Sequence, residues 1–299
     1  MKRFVTAATL AIAATALLST AALTQRPAAD PPRGKVLADY VLPPYQHIYE
    51  NLKRRQVLEE LGEFLSPLKL KRDLTLKTVQ CGVVNAFYDP DDHSISMCYE
   101  MVAEFENSLG PFVEGKLVLN RTIKLKPRVQ NVSRAEAIVG AFVGVLLHET
   151  GHAVFDIQQI PRLGREEDSA DQIAAFIMVS FGKDVARTTI KGTAALWDLF
   201  AQQDEIAQQQ GKGTPRFDDV HSTSAQRLFN FLCIGYGADP AAFQDLVDQG
   251  LLPKARADNC GNEYRQVRTA FFKTIMPFVD QDLMKQVQAK RWLRPEDLK

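Results

Sequence analysis

Hydrophobic and polar positions change their spacing several times along the chain, and each change marks an element. Residues 45–64 carry apolar residues at helical spacing opposite a charged face of Glu50, Lys53, Arg54, Arg55, Glu59 and Glu60. Residues 74–79 then mix Leu, Thr and Val with one charge, which predicts a strand. Residues 83–88 and 94–98 predict two more strands around the turn Asp89-Pro90-Asp91-Asp92. Residues 99–109 return to helical spacing. From Ser133 onward nearly all of the chain reads as helix. Ser133 and Glu136 form a capping box, in which each side chain bonds the other residue's backbone N–H. The helix they open runs through Ile138, Phe142, Val145 and Leu146 to about Ile157, and Pro161 follows its end. Further helices are predicted over residues 166–181, 185–209, 224–235, 241–249 and 262–275. The pattern predicts an α+β fold: one mostly helical domain over residues 45–299, with a small N-terminal β-sheet or hairpin. There are no internal repeats, and the Gln-rich run 202–210 reads as a solvated helix end.

The N-terminus does not fit that domain. Lys2 and Arg3 precede an uncharged, Ala-rich apolar run from Phe4 to Leu18, followed by Ser19-Thr20-Ala21-Ala22. This is the order of a secretory signal peptide, expected over residues 1–22, with cleavage after its small residues. An uncleaved anchor is the alternative, because Phe4 to Leu23 just reaches the length of a membrane span. Residues 23–44, with Pro27, Pro31, Pro32 and Gly34, read as a linker. No later stretch is expected to span a membrane. The chain is therefore expected to be exported, to the periplasm or the extracellular space.

Composition narrows the classes that remain. The 299 residues carry 36 basic and 36 acidic side chains, and 45% are hydrophobic. That balance is globular and gives no basic excess for nucleic acid. Cys81, Cys98, Cys233 and Cys260 are an even set in a chain marked for export. The simplest pairing is Cys81–Cys98 and Cys233–Cys260, with the other two pairings left open. No CxxC spacing is present, which argues against a four-cysteine zinc site. Nothing in the sequence sets the oligomeric state.

Two of the five histidines fall in His148-Glu149-Thr150-Gly151-His152, inside the helix that the capping box opens. Residues at i and i+4 share a helix face with Cβ atoms about 5–6 Å apart. Two imidazoles so placed can converge on one zinc, at about 2.0–2.1 Å each. Glu149 then stands where it can take a proton from a zinc-bound water. A third ligand is needed. Position 158, where a metzincin has His, is Gln158. The next helix offers Glu166-Glu167-Asp168-Ser169-Ala170-Asp171. Glu167 and Asp171 share a face: the first is the candidate third ligand, and the second the candidate acceptor for the outer N–H of His148. Glu166 and Asp168 point elsewhere and read as N-terminal helix charges. His47 and His93 read as solvated, the second in an Asp-rich turn.

The HExxH motif followed by Glu167-Asp168-Ser169-Ala170-Asp171 resembles the gluzincin metallopeptidases, whose third ligand is the Glu of an ExxxD helix. Asn85-Ala86-Phe87-Tyr88-Asp89-Pro90 with Ile95, and His221 with Arg227, resemble two motifs of that clan's CAAX-prenyl-endopeptidase and heat-shock-protease branch. From Cys81 to Cys260 the chain is similar to a bacterial family of secreted metallopeptidases with no assigned substrate. The resemblance implies a zincin-like domain in which Asn85, Ala86 and Phe87 form an edge strand for an extended peptide. It also implies that His221 helps to hold the oxyanion and that Arg227 holds an acidic partner or the substrate carbonyl. Against these stand plainer readings: a buried hairpin stapled by a disulfide, a surface histidine beside a cap formed by Ser222 or Ser224, and a structural ion pair. The chain departs from that branch in lacking membrane helices after the signal and in the short spacer, residues 153–166. Membrane-embedded substrates are accordingly not expected.

These readings converge on a secreted peptidase with one Zn2+ per chain, acting on a peptide or protein substrate with Glu149 as general base. A zinc-binding but inactive peptidase fold, serving as a binding module, is the alternative from another class; a zinc hydrolase of other amides is more remote.

Overall fold

The structure is a computed structural model describing residues 33–42, 44–116, 118–119, 123–213, 218–290 and 292. The expected signal peptide, residues 1–22, and the linker up to residue 32 lie outside them. The described chain is mostly helical α+β, with a small four-stranded sheet on its N-terminal side, as the hydrophobic spacing predicts.

Four strands, β1 (Val36–Tyr40), β2 (Leu74–Val79), β3 (Ala86–Asp89) and β4 (Ser94–Cys98), form a sheet in the order β1-β2-β4-β3. The first three in that order are parallel, and β3 runs antiparallel to β4 on the edge. β4 is buried along its whole length and β2 along alternate residues, as befits central strands. β1 corrects the linker reading of residues 23–44. Its pairing partner begins at Leu74, far along the chain, and parallel pairing leaves no turn signal in the sequence. The expected strand 83–88 begins only at Ala86, because Val83 and Val84 follow Gly82 at φ 75° and are exposed.

The predicted helix 45–64 is two helices, α1 (Gln46–Arg54) and α2 (Val57–Leu65), separated by left-handed Gln56. Helix α3 (Tyr99–Glu104) continues through a π-helical turn, Phe105–Leu109, into α4 (Gly110–Val113). Two short strands, β5 (Val118–Leu119) and β6 (Ile123–Lys124), pair next. Then come α5 (Arg134–Gln158), α6 (Glu166–Val179), α7 (Lys183–Gln209), α8 (Ser224–Ala238), α9 (Pro240–Asp248), α10 (Lys254–Thr274) and α11 (Gln281–Ala289). Helix α10 starts well before the expected residue 262, directly after Pro253, so Cys260 lies within it and not ahead of it. Helix α11 lies beyond the last helix that the hydrophobic spacing predicts.

Helix α5 organises the molecule. The capping box forms: Ser133 N–H donates to Glu136 at 2.8 Å, and Glu136 N–H donates to Ser133 Oγ at 3.2 Å. Among the described residues it is the one helix long and apolar enough to cross a membrane, which corrects the expectation that no later stretch reaches that length. Here it is packed against α6, α7, β3 and β4. Small residues set the closeness of these contacts. A Cβ on Gly140 would lie 2.6 Å from Gly192 Cα of α7, and one on Gly151 would lie 3.0 Å from Ala170 Cα of α6. The second approach brings the acidic face of α6 onto the histidine face of α5.

The cysteines are joined as Cys81–Cys98 and Cys233–Cys260, with Cα atoms 5.5 and 4.9 Å apart. The first bond ties the approach to β3 to the end of β4. The second ties α8 to α10.

Candidate metal centre

Three ligand atoms from two helices converge. His148 and His152, one turn apart on α5, bring their Nε2 atoms to 3.2 Å from one another. Glu167, in the first turn of α6, places Oε2 3.1 Å from the first and 3.3 Å from the second. The three atoms all lie within 4.8 Å of one another, the arrangement of residues that can hold a metal ion.

The outer nitrogen of each imidazole is held by a carboxylate. His148 Nδ1 lies 2.8 Å from Asp171 Oδ1, and His152 Nδ1 lies 2.8 Å from Glu166 Oε1. Both Nδ1–H groups thus donate outward, which points both Nε2 atoms toward the centre. Glu166 corrects the sequence reading. It is an acidic residue of the first turn of α6, as expected, but it does not point away from the centre: it grips His152 and pairs with Arg162 at 2.6 Å. Asp168 stands in the same first turn; Ser222 Oγ donates to it at 2.6 Å, tying the loop that bears His221 to α6.

Asp171 is buried and charged because Arg227 grips both of its oxygens, Nε to Oδ2 at 2.7 Å and a terminal nitrogen to Oδ1 at 2.5 Å. Burial alone would raise the Asp171 pKa; the Arg227 charge and the His148 bond hold it below the usual carboxylate range. The guanidinium lies 3.7 Å from the centroid of the Trp197 ring, which fixes its plane.

Glu149 is buried beside the histidines, and burial pushes its carboxyl above the ordinary range. One oxygen accepts the Tyr88 backbone N–H at 2.9 Å. His221 stands half-exposed at the rim, outside the converging trio. Its Nε2 is 3.0 Å from Glu167 Oε2 and its Nδ1 is 3.2 Å from Asp219. The cap of α8 is Thr223, in a capping box with Gln226, and not Ser222 or Ser224.

The trio, Glu149, Glu166, Asp171, His221 and Arg227 line one cavity of about 980 Å³, which β3 also lines. Of Asn85, Ala86 and Phe87, only Ala86 presents backbone groups to it. Asn85 C=O accepts Cys98 N–H at 3.2 Å, and the alternation of antiparallel pairs turns Phe87 toward Ser96 in the same way. Ala86 and Tyr88 therefore carry the outward N–H and C=O groups, and the Tyr88 N–H is the one that Glu149 occupies.

A family model described as "putative metallopeptidase" matches residues 40–274. The chain belongs to that family. Membership implies a metal ion and a peptidase, and the trio His148, His152 and Glu167 is where this family member can hold the ion. Comparison with curated proteins and with solved structures returns no match.

Sequence reasoning missed Glu166, Tyr88 and Asp156. His93 was expected to be solvated; it is partly buried, with Nδ1 3.0 Å from Tyr88 Oη and 3.7 Å from Asp156. His47 is exposed and paired with Glu106 at 3.3 Å. Cys81, Cys98 and Glu100 also cluster, but the two thiols are joined to each other and Glu100 accepts the N–H groups of Cys81 and Gly82.

Burial lowers the His152 pKa, but its bonds to Glu167 and Glu166 outweigh that and raise it to about 9. Because this folded value exceeds the unfolded one, the stabilisation is complete below about pH 6.5 and is lost as pH rises through 9. A metal ion must displace that proton. Calorimetry in buffers of different ionisation heat should show at least about one proton released per ion at pH 7, with affinity strengthening up to about pH 9. Binding at pH 7 without proton release would contradict this arrangement.

Proposed function

We propose that the chain is an exported zinc peptidase that cleaves extended polypeptide. The observation that carries this reading is the convergence of two Nε2 atoms and one carboxylate oxygen, each imidazole fixed by a second carboxylate, beside a buried glutamate that ligates nothing. Imidazole nitrogen with carboxylate oxygen suits zinc, and three protein donors leave a position for water. Glu149 is what a purely structural zinc site would not need.

A zinc ion held by His148, His152 and Glu167 would polarise the scissile carbonyl and lower the pKa of a water toward neutrality. Glu149 would accept a proton from the attacking water and return it to the departing amine. Asp171, kept charged by Arg227, holds His148 in one tautomer and orientation. Glu166 does the same for His152. His221 would turn its Nε2–H from Glu167 to the carbonyl oxygen as negative charge grows there. Ala86 and the Tyr88 carbonyl offer the edge of β3 to the substrate backbone. Residues 1–22 direct export, and the two disulfides suit an oxidising compartment.

The test is hydrolysis of an unstructured protein and of an internally quenched peptide library by the mature, zinc-loaded chain. Activity is expected to vanish with a chelator and to return with stoichiometric zinc. Stoichiometric zinc with no cleavage of either substrate would leave the inactive, partner-binding fold as the better reading.

A further inference from the structure

Tyr88 touches α5 twice. Its backbone N–H reaches Glu149 at 2.9 Å, and its hydroxyl donates to Asp156 Oδ2 at 2.7 Å. Glu149 and Asp156 are seven residues apart on one face of the helix, about 10 Å along its axis. One residue of the edge strand is thus pinned to α5 two turns apart, once at the glutamate and once beyond it. With its proton given to Asp156, the hydroxyl oxygen is free to accept from His93 Nδ1, 3.0 Å away. His93 reaches that position with a left-handed backbone, φ 52°, at the end of the β3–β4 turn. The turn is closed on the other side by Asp91 N–H donating to Asp89 at 2.9 Å.

We propose that Tyr88 is a positioning residue, and that the His93–Tyr88–Asp156 chain of hydrogen bonds sets the edge strand in register with Glu149. The catalytic consequence rests on the peptidase reading above; the clamp itself does not. Two consequences follow from the geometry. The substrate backbone, laid along Ala86, is held at a fixed offset from the proton acceptor. In addition, the one outward N–H next to the glutamate is spent on orienting that carboxylate and not on substrate. A Phe at position 88 would keep the packing of the ring, and the pairing of β3 with β4 would still hold the strand. What is lost is the offset between strand and base, so the effect falls on turnover and not on substrate binding.

The experiment compares zinc-loaded mature wild type with Tyr88→Phe, Asp156→Ala, Asp156→Asn and the double variant Tyr88→Phe/Asp156→Ala. Two quantities are read: amide exchange at residue 88 by NMR, and kcat and KM on an extended quenched peptide. In wild type the residue 88 amide is expected to be protected, although it lies on the open edge of the sheet, and the Ala86 amide is not. Tyr88→Phe and Asp156→Ala should each speed exchange at residue 88 and lower kcat by about tenfold, with KM within about twofold. The double variant should be no slower than either single one, because both remove the same bond. Asp156→Asn keeps an acceptor for the hydroxyl and should stay within about twofold of wild type. Unchanged exchange at residue 88 in Tyr88→Phe, or losses that multiply in the double variant, would overturn the clamp. A wild type that cleaves nothing speaks against the peptidase reading, while the exchange measurement still decides the clamp.

Discussion

His148→Ala and His152→Ala should each reduce bound zinc from one ion per chain to none after dialysis. A complete zinc site with protein ligands is worth about 10–16 kcal/mol, so removing one donor of three should weaken affinity by at least about 10²-fold. The loss should come from the donor and not from unfolding. Ala favours helix at both positions. His148 leaves Asp171 still paired with Arg227 through two hydrogen bonds, so no buried charge is orphaned. His152 is less buried, and Glu166 keeps Arg162. Elemental analysis gives the metal content and far-UV circular dichroism shows that the helices persist. Full zinc in either variant would mean that the ion sits elsewhere.

The parts of this centre that could be read from the sequence are those fixed by one helix at a time. His148 and His152 share a face because of the 3.6-residue period alone, and the same period separates Glu167 and Asp171 from their neighbours. What could not be read depends on how elements meet. Glu166 lies on the first turn of α6, where negative charge is favoured in any helix; that it faces His152 follows from the angle set where Gly151 meets Ala170. Tyr88 and Asp156 lie in different elements, and nothing in either local pattern announces the other. The strand β1 escaped for a related reason, since its partner is remote and parallel and the prolines before it look like linker. At Gln56 the helical spacing of residues 45–64 continues unbroken through a residue that adopts a left-handed conformation, so the pattern could not show the break. Local periodicity thus locates the donors, while packing decides who orients them.

The sharpest separation of chemistry from metal binding comes from three carboxylates that line one cavity. Glu149→Gln should keep zinc bound, because Glu149 accepts the Tyr88 N–H and is not among the three clustered ligands. Gln is nearly isosteric, and its carbonyl can still accept that N–H, so the fold should persist. It cannot take a proton, and general acid–base help is worth about 10²–10⁴ in rate, or roughly 3–5 kcal/mol of barrier. Glu167→Gln exchanges an anionic donor for a neutral one and should lose zinc affinity together with activity. Asp171→Asn keeps an oxygen for His148 but removes the charge that Arg227 balances, so it should cost about 10–100-fold through misorientation. Zinc affinity and peptide hydrolysis measured on the same three preparations place each residue. Wild-type hydrolysis by Glu149→Gln would end the general-base assignment. Wild-type zinc affinity in Glu167→Gln would shift the third ligand to Glu166, which already lies on His152 and is the only other carboxylate of that turn in contact with either histidine among the described residues.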